Sequence, residues 1–368
     1  MEEVSVPKIL DTDNIIDDIS NRKIFLGKYS GFQRFDQYKY DFTKSIENKM
    51  RNAFWNPNEI SLVSDRLKFS DLPEEPKEIL TNNILFQTLM DSAQSRGLDS
   101  VLVELTTSPE WEAVFKTQAY FEQIHSISYS HIVREVFPDS TEVFDRIGKS
   151  EEIKYRIDDE ISCYNTFKSD KFLLADEETK KKMILELLLR IYALESLKFY
   201  VSFLVTYTIN NSYNGAIGGI TRIIKLINFD EDYHVSVFAG LLGILRKQKS
   251  EGFTELVNSE WFAETARSIF RKVVRDEISW GNHLLSIGNV PTLTSRIIES
   301  FVKYYANKRL SQIKVEELYV NTPKIDIIEW FEVYKNIDLD NVAQQEAESG
   351  AYNIGILQDD LGDKILTW

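Results

Sequence analysis

Two Glu-x-x-His units, Glu122-Gln-Ile-His125 and Glu231-Asp-Tyr-His234, lie in helix-patterned stretches, each with a lone carboxylate upstream: Asp91 before the first, Glu195 before the second. An α-helix turns once per 3.6 residues, so positions i and i+3 project from one face and can grip one ion together. Six such ligands can hold two metal ions. Four carboxylates on inward stripes, with no comparable Lys or Arg cluster beside them, would be costly to bury unpaired, and two divalent cations would neutralise them. Mixed carboxylate and imidazole donors suit iron or manganese, whereas structural zinc more often takes cysteine. The donor set does not choose between iron and manganese.

Tyr129 follows His125 by four residues and Glu122 by seven, so it shares the ligand stripe and its ring is expected beside the metals. Phe199 and Phe203 follow Glu195, and Ile224 and Ile227 precede Glu231, at helical spacings that put apolar walls on the same inward faces. A phenol in a water-poor pocket beside an oxidising metal pair can hold a long-lived radical. The plainer alternative is a core tyrosine, one of 17, bonded to a carboxylate. Of four histidines, His131 and His283 belong to no ligand pattern and read as packing or surface residues. Cys163 is the one cysteine, so no disulfide can form within the chain.

Helix signals account for how these groups are positioned. Residues 77–95 read as a helix with Asp91 near its C-terminal end. Ser108-Pro109-Glu110, a cap followed by a first-turn proline and acid, opens a helix to about Phe137. Asp176-Glu177-Glu178 opens another that meets no Gly or Pro until Gly215 and is apolar nearly all round its middle. Further helices are expected over Ile217 to Lys249, 259–286 and 293–313, with no strand pattern of comparable strength. The fold class is therefore all-α.

At 43% hydrophobic content the 368 residues can bury a large core. The start MEEVSVPKILDTDN lacks the basic and apolar runs of a signal peptide, and the longest apolar stretch, Phe199 to Ile209, is too short to span a membrane. A soluble, cytoplasmic protein with no membrane partner is expected. A formal charge of -15 argues against nucleic acid as a partner. Residues 1–340 are expected to form one helical di-metal domain. Residues 341–368, with scattered acids and glycines, read as a flexible tail whose Tyr352, Ile365, Leu366 and Trp368 are anchors of the kind that dock in a partner's groove.

Ferritin-like bundles that hold two iron or manganese ions use one carboxylate from each of two helices and a Glu-x-x-His from each of two others. Asp91 stands where one of the glutamates is expected. Together, Asp91, Glu122-x-x-His125, Tyr129, Glu195 and Glu231-x-x-His234 resemble the small, radical-generating subunit of class I ribonucleotide reductase. The likeness runs from Phe54-Trp55 through QTLMDSAQ, FEQIHSISYSHIVR and ALESLKFYVSF to the tail. It implies a ferritin-like bundle that forms a homodimer, two iron ions per chain with manganese as the alternative, and a tyrosyl radical on Tyr129. It also implies a transfer route in which Asp230 links Trp55 toward His125, and Tyr352, with Glu346 nearby, relays oxidation to a large catalytic subunit docked on the tail. That subunit would bind and reduce the ribonucleotide; this chain has no Gly-rich phosphate loop and no cysteine pair for the task.

Departures from the resemblance are Phe229, where many relatives have arginine, the residues Asp232 and Tyr233 inside the second Glu-x-x-His, and a short segment between Cys163 and Asp176. Two rival classes share the architecture. Another ferritin-like oxygen-activating oxidase would have a glutamate in place of Asp91 and no tyrosine four residues after the first histidine. An iron-storage ferroxidase would be a much shorter chain. A dead scaffold would have no reason to bury four acids.

Overall fold

The fold is seen in a computed structural model that describes residues 10, 18–28 and 32–337. The expected tail, with Glu346 and Tyr352, lies outside these residues. Among the described residues the chain is helical, with one isolated antiparallel bridge between Phe25 and Thr106. The elements are α1 (Asp41–Asn52), α2 (Val63–Phe69), α3 (Glu74–Gly97), α4 (Pro109–Val136), α5 (Ser140–Lys149), α6 (Glu151–Phe167), α7 (Asp170–Leu173) and α8 (Glu177–Ala193). They continue as α9 (Tyr200–Ser212), α10 (Gly218–Lys247), α11 (Thr254–Val257), α12 (Glu260–Ile287), α13 (Ser295–Gln312) and α14 (Asp326–Tyr334). Helices α3, α4, α8 to α9 and α10 surround the ligand cluster, and α12 and α13 pack outside them.

Local chemistry sets the ends of these helices. Pro109 occupies the first position of α4, where its missing N–H costs nothing, but the Ser108 side chain makes no capping bond. The expected first-turn acid has a different use. Glu110 is buried and accepts the Thr43 hydroxyl at 2.9 Å and the Lys39 N–H at 3.3 Å, so it ties the start of α1 to α4.

The long helix expected from Asp176 to Gly215 is interrupted. Leu194–Lys198 form a π turn between α8 and α9, and Leu98–Val103 form another after α3. A π turn inserts a residue into the α-helical ladder and shifts the phase of everything beyond it. The Val201 N–H just past the first π turn donates to buried Glu277 on α12 at 3.3 Å. Lys198, also buried, pairs with Glu160 of α6 and donates to the Arg156 carbonyl at 3.2 Å. These contacts hold open the turn that carries Glu195.

The N-terminus of α10 is capped from outside. Buried Asp65 of α2 accepts the Gly219 N–H at 3.0 Å and the Ile220 N–H at 2.8 Å, two of the donors that a helix start leaves unpaired. The approach is close enough to require glycine. A Cβ on Gly219 would lie 2.7 Å from the Ser61 carbonyl oxygen and 2.9 Å from Asp65 Oδ2. Gly219→Ala is expected to destabilise the fold by about 1–3 kcal/mol, as forced overpacking does. The denaturant midpoint tests this, and an unchanged midpoint would show that the joint has slack.

Candidate metal centre

Four segments converge: α3 brings Asp91, α4 brings Glu122, His125 and Tyr129, the π turn brings Glu195, and α10 brings Asp230, Glu231 and His234. All eight side chains are buried. Their ligand atoms form two groups, each with atoms within 4.8 Å of one another: Asp91, Glu122 and His125, and Glu122, Glu195, Glu231 and His234. Glu122 spans both. Its Oε2 is 3.3 Å from His125 Nδ1 and its Oε1 is 3.0 Å from His234 Nδ1. Glu231 does likewise, with Oε1 3.4 Å from His125 Nδ1 and Oε2 3.1 Å from His234 Nδ1. Asp91 reaches only His125, at 3.8 Å, and Glu195 only His234, at 3.5 Å.

This cluster needs positive charge. Among the described residues these four carboxylates make their ion pairs with the two imidazoles. Both oxygens of Asp91 and of Glu122, one each of Glu195 and Glu231, and His125 Nδ1 have no hydrogen-bond partner. Buried polar atoms are rarely left so. Burial and the charge of Glu122 push the Asp91 and Glu231 carboxyls well above their ordinary range. Burial alone would lower the two imidazoles, but the surrounding carboxylates raise both well above their usual values. Glu122 shows the reverse balance: burial raises it, the charge of His234 and then of His125 beside it outweigh that, and it falls to about 2. Without cations, the cluster can be neutralised only by protons. Carboxylate oxygens and imidazole nitrogens in this density fit two divalent ions of the iron or manganese type.

Neighbouring residues orient the cluster. Asp230 Oδ2 lies 3.1 Å from His125 Nε2 and accepts the Trp55 indole N–H at 2.7 Å. The bond to Asp230 places the His125 proton on Nε2 and leaves the Nδ1 lone pair facing the carboxylates, as a ligand requires. Glu195 Oε1 accepts N–H bonds from Gln94 and, at 2.8 Å, from Gln118. Its Oε2 is thereby left for a cation. The two amides were missed in the sequence although a signal was there: Gln94 is three residues after Asp91 and Gln118 four before Glu122, on the ligand stripes. The Tyr129 phenol is fully buried and its hydroxyl meets no partner at hydrogen-bond geometry. Burial, then the charge of Asp91, raise its pKa well above the ordinary value, so it is a neutral phenol.

The family described as "Ribonucleotide reductase, small chain" matches residues 33–325. The "Ribonucleoside-diphosphate reductase 1 subunit beta" of Escherichia coli O157:H7 is 30% identical over 349 residues, covering 90% of this chain and 91% of that one. The "Ribonucleoside-diphosphate reductase subunit beta" of Enterobacteria phage T4 is 28% identical, covering 95% and 96%. The chain belongs to the ribonucleotide reductase small-chain family. Among solved structures, the ribonucleotide reductase R2 subunit from Clostridium botulinum superposes with a TM-score of 0.79 at 25% identity, covering 90% of this chain and 98% of that one.

For a ribonucleotide reductase small subunit, the two-lobed cluster is a dinuclear metal site. Phe229, Asp232 and Tyr233 make their contacts with groups other than the ligands. Phe229 and Tyr233 pack edge to face with centroids 5.1 Å apart, and Asp232 pairs with Lys335 at 2.8 Å. His131 is buried, with Nε2 3.2 Å from the Ile60 carbonyl oxygen and Nδ1 3.0 Å from Arg134 Nη2, which makes it a packing residue of the Trp55 loop. His283 stacks on Trp280, with centroids 5.4 Å apart. The Cys163 thiol is half-buried and unpaired, and burial pushes it up to about 12. Among the described residues no helix is long and apolar enough to cross a membrane.

Proposed function

We propose that this chain is the radical-generating subunit of a ribonucleoside-diphosphate reductase, storing a tyrosyl radical on Tyr129 beside two iron ions held by Asp91, Glu122, His125, Glu195, Glu231 and His234. Manganese is the alternative metal. The observation that carries this reading is the Tyr129 hydroxyl, fully buried and flanked by the Asp91 carboxylate. The metal pair, when bound, would supply the oxidising equivalent drawn from dioxygen. Tyr129 loses one electron and its phenolic proton, and Asp91 is the carboxylate positioned to accept that proton. Apolar packing around the ring keeps out the water and reductants that would quench it.

The chain of bonds from Trp55 Nε1 through Asp230 Oδ2 to His125 Nε2 supports a route for the oxidation to leave the core. Tyr352 would relay it onward to the large subunit, on which residues 341–368 dock, and the active small subunit would be a homodimer. The diphosphate substrate is taken from the names of the relatives. Adding ferrous iron and oxygen to metal-free protein should yield a tyrosyl signal in low-temperature electron paramagnetic resonance. No tyrosyl signal at full metal loading would overturn the assignment. Tyr352→Phe should leave that signal and tail binding in place while blocking turnover with the large subunit, because the ring still packs but the oxidisable hydroxyl is gone. Normal turnover would remove Tyr352 from the route.

A further inference from the structure

We propose that Tyr164 is a positioning residue for the metal ligand Glu195, acting through Gln94. The Tyr164 hydroxyl of α6 donates to Gln94 Oε1 at 2.7 Å, and Gln94 Nε2 in turn donates to Glu195 Oε1. All three groups are buried. The direction of this relay is set by its ends. An ionised carboxylate only accepts, so the amide must present nitrogen to Glu195 and oxygen to Tyr164, and the phenol must donate. Burial keeps Tyr164 protonated well above the ordinary phenol range, so the donor is always available.

Gln118 supplies the second N–H to Glu195, but its own carbonyl oxygen has no partner. Of the two amides, only Gln94 is held from behind. With Oε1 fixed, Glu195 offers Oε2, which lacks a hydrogen-bond partner and faces His234 Nδ1 at 3.5 Å. Removing the Tyr164 hydroxyl strands a buried carbonyl on Gln94 and frees the amide to turn, so Glu195 loses the restraint that aims it.

Packing holds the phenol itself in register. Its ring lies against the backbone of Gly97 at the end of α3, where a Cβ would come within 2.2 Å of Tyr164 Cε2. Ala at 97 would therefore push the ring, and there is room for it to go: Tyr164 borders a cleft of about 530 Å³ between α3 and α6, lined by Leu89, Ala93, Val101 and Ile157. Two substitutions of different kinds, Tyr164→Phe and Gly97→Ala, should thus have the same effect on the metal site.

The proposal rests on Glu195 being a ligand, and the test separates the two. Metal-free full-length chain is titrated with cobalt(II) against a competing chelator, and visible absorption reports each lobe. Wild type should take up two ions. Tyr164→Phe and Gly97→Ala should each weaken one of the two sites about tenfold, the scale on which supporting hydrogen bonds act, and shift its absorption band, while the other site is unchanged. Glu195→Ala should weaken that same site further. If Glu195→Ala has its effect but both other variants bind as wild type, or lose affinity equally at both sites, the relay is overturned and the ligand assignment stands. Wild-type binding by Glu195→Ala would overturn the ligand assignment and the relay with it.

Discussion

Tyr129→Phe should abolish the radical and nucleotide reduction while leaving metal content and the stability of the fold close to wild type. The Tyr129 hydroxyl has the Asp91 carboxylate beside it and, among the described residues, makes no other polar contact, so its loss should change the unfolding midpoint little. A hydroxyl kept for stability would behave differently, its loss lowering the midpoint. The ring survives in the variant, so no cavity forms, and the six ligands keep their places. Spectroscopy and calorimetry on the same samples decide it. A persistent sharp tyrosyl signal in the phenylalanine variant would move the radical elsewhere, and a strong drop in stability would show that the phenol is a structural group.

Glu122→Ala should reduce metal content to below one ion per chain, whereas Asp91→Ala should spare the second lobe. The difference follows from geometry. Each oxygen of Glu122 faces a different imidazole, so its loss strips both lobes at once, while Asp91 reaches only His125. Affinity for metal at a buried site falls steeply when a ligand is removed because the remaining donors stay fixed around the gap. Elemental analysis after removal of loose metal provides the measurement. Full loading of the Glu122 variant would remove this residue from the site.

Most of the centre was legible because helical spacing is a strict rule. Asp91, Glu122, His125, Tyr129, Glu195, Glu231 and His234 could be placed on inward faces from residue types and intervals alone, and the structure brings all of them together. Gln94 and Gln118 carried the same spacing signal but no charge to draw notice. Tyr164 gave none, because its contact with Gln94 joins helices about 70 residues apart in sequence, which no local pattern reports. The π turn at Glu195 was hidden for another reason: Leu194 to Lys198 differ little in composition from the α-helical residues on either side, and the extra residue is selected by tertiary contacts through Lys198 and Glu277. Helices α1, α5 and α6 carry none of the ligand residues, so the spacing that revealed the others did not point to them.

The double attachment of the Trp55 segment to α10 has a consequence for how this chain can vary. Trp55 is bonded to Asp230, and about ten residues later Asp65 is bonded to the helix start at Gly219 and Ile220. The intervening helix rises about 16 Å, a length set by 1.5 Å per residue. The strand of chain between the two bonds is thus gauged against a rigid rod, with His131 gripping it once more at Ile60. Surface connections usually accept insertions and deletions freely. Here a residue gained or lost between 56 and 64 would have to be absorbed by a segment fastened at both ends, and is expected to disturb the indole bond, the helix cap or the His131 contact. A stretch that looks like an ordinary loop is therefore expected to tolerate changes of length less well than connections tied at one end only.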